Sequence, residues 1–143
     1  MKKIITAKKQ FIFPIIAILL VLALAGCGQK PPPEPGTITG RVFLDENANA
    51  EGEVCDCDWY MEGVEIQLYE GNCGGVAQQS VYTDSEGIFN FTEIAPGDYC
   101  VTPKIKTICE GFKPTTPIQQ KVTLDPGMIL EVPWFGFDNN LDF

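Results

Sequence analysis

Between residues 45 and 58 the chain reads DENANAEGEVCDCD, and six acids (Asp45, Glu46, Glu51, Glu53, Asp56, Asp58) occur there without one base. Asp45, Asn47 and Asn49 alternate as do positions 1, 3 and 5 of a calcium loop, and Asp56 falls at position 12. Glu51 would offer its backbone carbonyl at position 7, and Glu53 a carboxylate or a bridging water at position 9. Alternate oxygens let a short loop curl round a hard cation at about 2.3–2.6 Å from each ligand, so calcium is the expected ion. Two positions depart from such a loop. Ala50 stands where Gly is wanted for the sharp turn, and Asp56 is shorter than the usual bidentate Glu. The other reading is a solvated acidic loop.

Stepping outward from that loop, the amino-terminal stretch sets the compartment. Lys2, Lys3, Lys8 and Lys9 precede an apolar run from Phe11 to Ala25, broken by Pro14. Fifteen residues are short for a membrane span, which needs roughly 20, and the layout is that of a secretory signal. Leu24-Ala25-Gly26-Cys27 resembles the lipobox of bacterial lipoproteins at all four positions. That resemblance implies lipid attachment to the Cys27 thiol, cleavage after Gly26, and an exported domain held on a cell or outer membrane facing the extracytoplasmic side. The expected organisation is residues 1–26 as signal peptide, 27–36 as lipidated Cys and Pro-rich tether, and 37–143 as one β-sandwich domain.

All nineteen acids but only six bases follow Cys27, leaving a formal charge of −13 on a segment with no His. Such a surface is a poor partner for nucleic acid, whose phosphates require basic residues. In an exported chain the remaining cysteines (Cys55, Cys57, Cys73, Cys100, Cys109) are disulfide candidates. Five allow at most two internal bridges. One from Cys55 or Cys57 to Cys73 would pin the acidic loop, and Cys100 with Cys109 would close the segment between them; connectivity stays open. A zinc site would need spaced Cys pairs or His, and a redox Cys-x-Cys centre a helix N-terminus or nearby bases to lower a thiol pKa, so neither is expected.

The elements that must position these groups read as strands. Ile38, Val42 and Leu44 begin the first, in TITGRVFL. Val64, Ile66 and Leu68 alternate with Glu65, Gln67 and Tyr69, and Val76–Thr83 suggests a third strand. Asp84–Gly87 supplies turn chemistry before Phe89 and Phe91, and Pro96-Gly97 fits the centre of a type II turn before Tyr99 and Val101. Ile118, Gln120, Val122 and Leu124 share a face, Asp125-Pro126-Gly127 turns, and Ile129–Phe137 makes the last strand. About seven short strands without a helical period predict an all-β, antiparallel, immunoglobulin-like or prealbumin-like sandwich.

The ordered set Gly40-Arg41-Val42-Phe43-Leu44-Asp45, Gly63–Tyr69, Thr83-Asp84…Gly87…Phe89-Asn90-Phe91, Pro96-Gly97-Asp98-Tyr99 and Phe135-Gly136-Phe137 resembles the B-type repeat of serine–aspartate repeat adhesins (SdrD B-like). The resemblance spans roughly Gly36 to Asp138. It implies a Cna-B/prealbumin-like sandwich serving as a rigid, often calcium-loaded spacer in surface proteins. This chain has one copy and no Ser-Asp tract, and no Lys between Pro31 and Pro103 for the Lys–Asn cross-link of some Cna-B relatives.

No nucleophile elbow, phosphate loop or His appears, so the expectation is a non-catalytic structural or adhesive surface module stiffened by calcium. The alternative is a carbohydrate- or protein-binding accessory module of an envelope enzyme system. Its ligand would be an extracellular protein or glycan, with Trp59, Tyr60 and Trp134 carrying a carbohydrate. Against it, Trp134 alternates with Val132 and is expected in the core, and Trp59 and Tyr60 would then only cover the acidic loop.

Overall fold

A computed structural model describes residues 30–46, 48–51, 59–104, 106 and 111–139. The chain falls into two units, residues 1–32 and 33–143, and the strands belong to the second. Cys27 and the signal segment, Asn47, Glu53, Cys55, Asp56, Cys57 and Cys109 lie outside the described residues.

Among the described residues ten strands form: β1 (Gly36–Leu44), β2 (Trp59–Tyr60), β3 (Glu65–Glu70), β4 (Gln79–Tyr82), β5 (Ile88–Ile94), β6 (Gly97–Pro103), β7 (Lys113–Pro114), β8 (Gln120–Leu124), β9 (Ile129–Glu131) and β10 (Phe135–Asp138). They make two sheets. One is β4-β3-β6-β8, antiparallel throughout. The other is built on β1, whose first half lies between β5 and β9 and whose second half lies between β2 and β10, with β7 beyond β10. The expected sandwich is therefore present. It differs from a purely antiparallel one in that β9 and β10 run parallel to β1. Parallel neighbours need a long connection, which is available because β1 opens the domain and β9 and β10 close it.

Alternation explains why β1 can serve as the centre of its sheet. Gly36, Ile38, Gly40 and Val42 face inward and are buried, whereas Thr37, Thr39 and Arg41 face outward. Ile38, Val42, Phe89, Phe91, Phe135 and Phe137 from this sheet meet Ile66, Leu68, Val101 and Leu124 from the other, all at most 1% exposed. Gly40 has no side chain because the Phe89 ring and Val132 occupy the space a Cβ would need.

Several local expectations are corrected. Gly97 has no positive φ and begins β6, so Pro96-Gly97 is not a type II turn centre; the positive φ in this region is at Glu93 (57°). Pro-Gly turn geometry occurs instead at Asp125–Met128, where Gly127 has φ 69° and Met128 N donates to Asp125 O at 3.2 Å. The third strand starts only at Gln79, because Gly71, Gly74 and Gly75 at φ 71°, 124° and 84° keep the preceding chain turning. The last strand is split. Pro133 has no N–H for a ladder, so β9 stops at Glu131 and β10 starts at Phe135. The break shifts the parity: Val132 enters the core, but Trp134 does not.

Candidate functional site

The acidic loop leaves the end of β1. Asp45 N donates to Phe137 O at 2.7 Å, which ties the loop's first residue to β10. The Asp45 side chain is fully buried, and its two oxygens accept from Asn49 N (3.2 Å) and Ala50 N (2.9 Å). Asn49 Oδ1 accepts in turn from Glu51 N at 2.8 Å. Ala48 and Ala50 adopt φ 51° and 61°, so the chain coils round the Asp45 carboxylate. Ala50 thus holds the left-handed conformation that Gly would take without strain. Among the described residues no group of three or more His, Cys, Asp or Glu is placed to hold a metal. The described donors Asp45, Asn49 and Glu51 offer oxygen alone, which fits a hard cation.

One disulfide is described, Cys73–Cys100, with Cα atoms 5.1 Å apart. It replaces both pairings suggested by position, Cys55 or Cys57 with Cys73 and Cys100 with Cys109. The reason is register. Tyr69 pairs with Cys100 across β3 and β6, so the Gly-rich turn after Glu70 folds back over β6 and brings Cys73 to it. Gly71 N donates to Asp98 O at 2.8 Å and Lys121 Nζ to Asn72 Oδ1 at 2.9 Å, closing the same corner. On the outer face of this sheet Lys104 Nζ meets Glu65 Oε2 at 2.8 Å. That hydrogen bond holds the Glu65 carboxyl below its usual 4.5 against the opposing effect of desolvation, and it raises Lys104 above 10.5.

A third cluster lies on the outer face of β1. Arg41, the chain's single arginine, places its guanidinium carbon 4.5 Å from the centre of the Tyr60 ring and 4.8 Å from that of Trp134. Trp134 meets buried Phe43 edge-on at 6.1 Å and donates from Nε1 to Glu131 Oε1 at 3.0 Å. Trp59 is 65% exposed and Tyr60 37%. Trp134 is therefore not in the core as expected; it roofs Phe43 from outside. Two shallow hollows meet at Trp134. One, of about 190 Å³, is lined by Thr39, Gly40, Arg41, Ile88, Glu131 and Trp134. The other, of about 340 Å³, includes Phe43, Pro133, Trp134, Thr116 and Gln120. Arg41 is absent from the sequence-based site. Its signal was an isolated cation at an outward position of β1, two residues from Thr39.

Residues 37–109, half of the chain, match the family described as BOS complex subunit NOMO1-like, second β-sandwich domain. Colossin-A of Dictyostelium discoideum is 37% identical over 65 residues, which is 46% of this chain and 1% of that protein. Among solved structures, GBS52, the minor pilin of Streptococcus agalactiae, superposes with a TM-score of 0.52 and 18% identity, over 75% of this chain and 45% of that one. The Bacillus anthracis TIE protein superposes with a TM-score of 0.52 and 16% identity, over 73% of this chain and 17% of that one. The chain thus spans about 1% of its curated relative and less than half of either structure. At these identities the two structures establish a shared β-sandwich fold.

Proposed function

This chain belongs to the family of the NOMO1-like second β-sandwich domain, and on that premise we propose that it is a non-catalytic structural or adhesive module, lipid-anchored through Cys27 on the extracytoplasmic side of a bacterial membrane. The observation that carries the reading is the likeness of the sandwich to the GBS52 minor pilin over three quarters of the chain. The module is of the SdrD B type in this reading. Calcium held by Asp45, Asn47, Asn49, Glu51, Glu53 and Asp56 stiffens the loop after β1, and through Asp45 the end of β1 and β10. The tether keeps the domain clear of the bilayer, at about 3.1 Å per residue of extended Pro-rich chain.

Metabolic labelling of expressing bacteria with radioactive palmitate tests the anchor. The wild-type chain should carry label and sediment with membranes, and Cys27→Ser should do neither. Equal membrane association of an unlabelled wild type would overturn the lipid anchor.

A further inference from the structure

We propose that Arg41 is the anchor of a binding site for an acidic saccharide, a uronate whose carboxylate takes the guanidinium N–H fork and whose ring rests against the neighbouring aromatics. The proposal rests on the adhesive reading and names the ligand class that reading leaves open.

Three observations carry it. First, the chain holds nineteen acids and a single arginine, yet among the described residues Arg41 has no carboxylate or carbonyl partner; its contacts are the Tyr60 and Trp134 rings. Ring contacts hold a guanidinium in place but leave its five in-plane donors unused, and the ligand that matches two of them at once is a carboxylate. Second, Arg41 opens into a hollow of about 190 Å³ whose other polar walls are Thr39 and Glu131. Glu131 Oε1 accepts from Trp134 Nε1, which fixes both the indole and the carboxylate. The Thr39 hydroxyl already donates to Phe89 O at 3.0 Å, so these walls offer acceptors beside the Arg41 donors, a pairing that suits hydroxyls, which both give and take hydrogen bonds. Third, the Tyr60 ring that stacks with Arg41 remains 37% exposed, so an aromatic surface is open to a ligand at the guanidinium. An acidic peptide would satisfy the guanidinium equally but has no use for the paired hydroxyl partners. The chain's overall acidity does not forbid an anion here. Exposed charges beyond a Debye length, about 8 Å at physiological salt, are largely screened.

The test is calorimetric titration of the full-length protein with galacturonate, mannuronate and hyaluronan hexamers, their methyl esters, and a poly-glutamate peptide. Melting temperatures of each variant are recorded alongside. At least one uronate oligomer should bind, its methyl ester at least tenfold more weakly, and poly-glutamate no better than the ester. Arg41→Gln should abolish binding with the melting temperature unchanged. Arg41→Lys, which keeps charge and stem and secures the comparison if the glutamine variant folds poorly, should still weaken it at least tenfold. No binding by any uronate, binding unaltered by either substitution, or poly-glutamate binding as tightly as the best uronate each overturns the proposal. A large fall in melting temperature in both variants without binding in the wild type would make Arg41 a lid over Phe43 and nothing more. Because the titration is done in solution, its failure leaves the module and its anchor standing, and the palmitate experiment decides those separately.

Discussion

Ala50 and Asp45 show how single residues set the shape of the acidic loop. A non-glycine residue in the left-handed region costs about 1–2 kcal/mol, and Ala50 bears that cost at φ 61° so that its N–H can reach Asp45 Oδ2. Replacing it with Gly removes the strain but adds about 0.5–1 kcal/mol of unfolded-state freedom. Relief is the larger effect. Ala50→Gly should therefore raise stability by about 0.5–1 kcal/mol, a few degrees of melting temperature, with or without a metal. The same melts with millimolar calcium and with chelator read the proposed ion. A ligand at about 100 times its dissociation constant adds roughly 2.7 kcal/mol, and this increment should appear in wild type and in Ala50→Gly. It should vanish in Asp45→Asn, where one amide loses its charged acceptor. Superimposable curves with calcium and chelator would leave Asp45 as a cap for its own loop. A lower melting temperature for Ala50→Gly would mean the strain is absent in solution.

Elements explain why some of this was legible and some not. β5 follows the two-residue period from Ile88 to Thr92, since one face lies against the core, and in β3 the apolar alternation of Ile66 and Leu68 marks the core face although Glu65 and Tyr69 are buried as well. The break between β9 and β10 was harder to see, because an apolar run through Ile129–Phe137 hides a Pro that ends one strand and reverses the parity of Trp134. Parallel pairing of β1 with β9 and β10 leaves no local trace at all, being decided by which sheet the late chain joins. The disulfide likewise depends on register across β3 and β6 rather than on spacing along the chain. That bridge spans 27 residues, for which loss of loop-closure entropy in the unfolded chain gives about 3–4 kcal/mol. Cys73→Ser combined with Cys100→Ser should lower the denaturation free energy by about that amount at an unchanged slope with denaturant. A loss below about 1 kcal/mol would show that strand pairing, with the Gly71–Asp98 hydrogen bond, already fixes the corner.

At the scale of the whole molecule the decisive fact is composition: many carboxylates, few bases and no His. No side chain in the chain has an ordinary pKa between about 5 and 8, so the net charge, and with it the self-repulsion of an acidic domain, changes little from about pH 6 to about pH 7.5. Stability should be flat there. Below it two effects oppose each other. Protonating exposed carboxylates relieves repulsion and stabilises the fold, whereas Glu65 is held below its usual 4.5 by the Lys104 hydrogen bond, so its contribution is present above 4.5 and lost as pH falls through the lowered folded value. Lys104 has the opposite sign: raised above 10.5, its share persists at lower pH and is lost only as pH rises past that point. The pair therefore contributes in full across the flat region and decays at both extremes. Glu65→Gln separates the two effects, since it removes the pair and leaves the repulsion of the other acids almost intact. Melting temperature measured from pH 3 to pH 8 should place the variant below wild type at neutral pH, with the gap closing below pH 4.5. A gap that holds constant down to pH 3 would mean that Glu65 acts through packing over β3 and not through its charge.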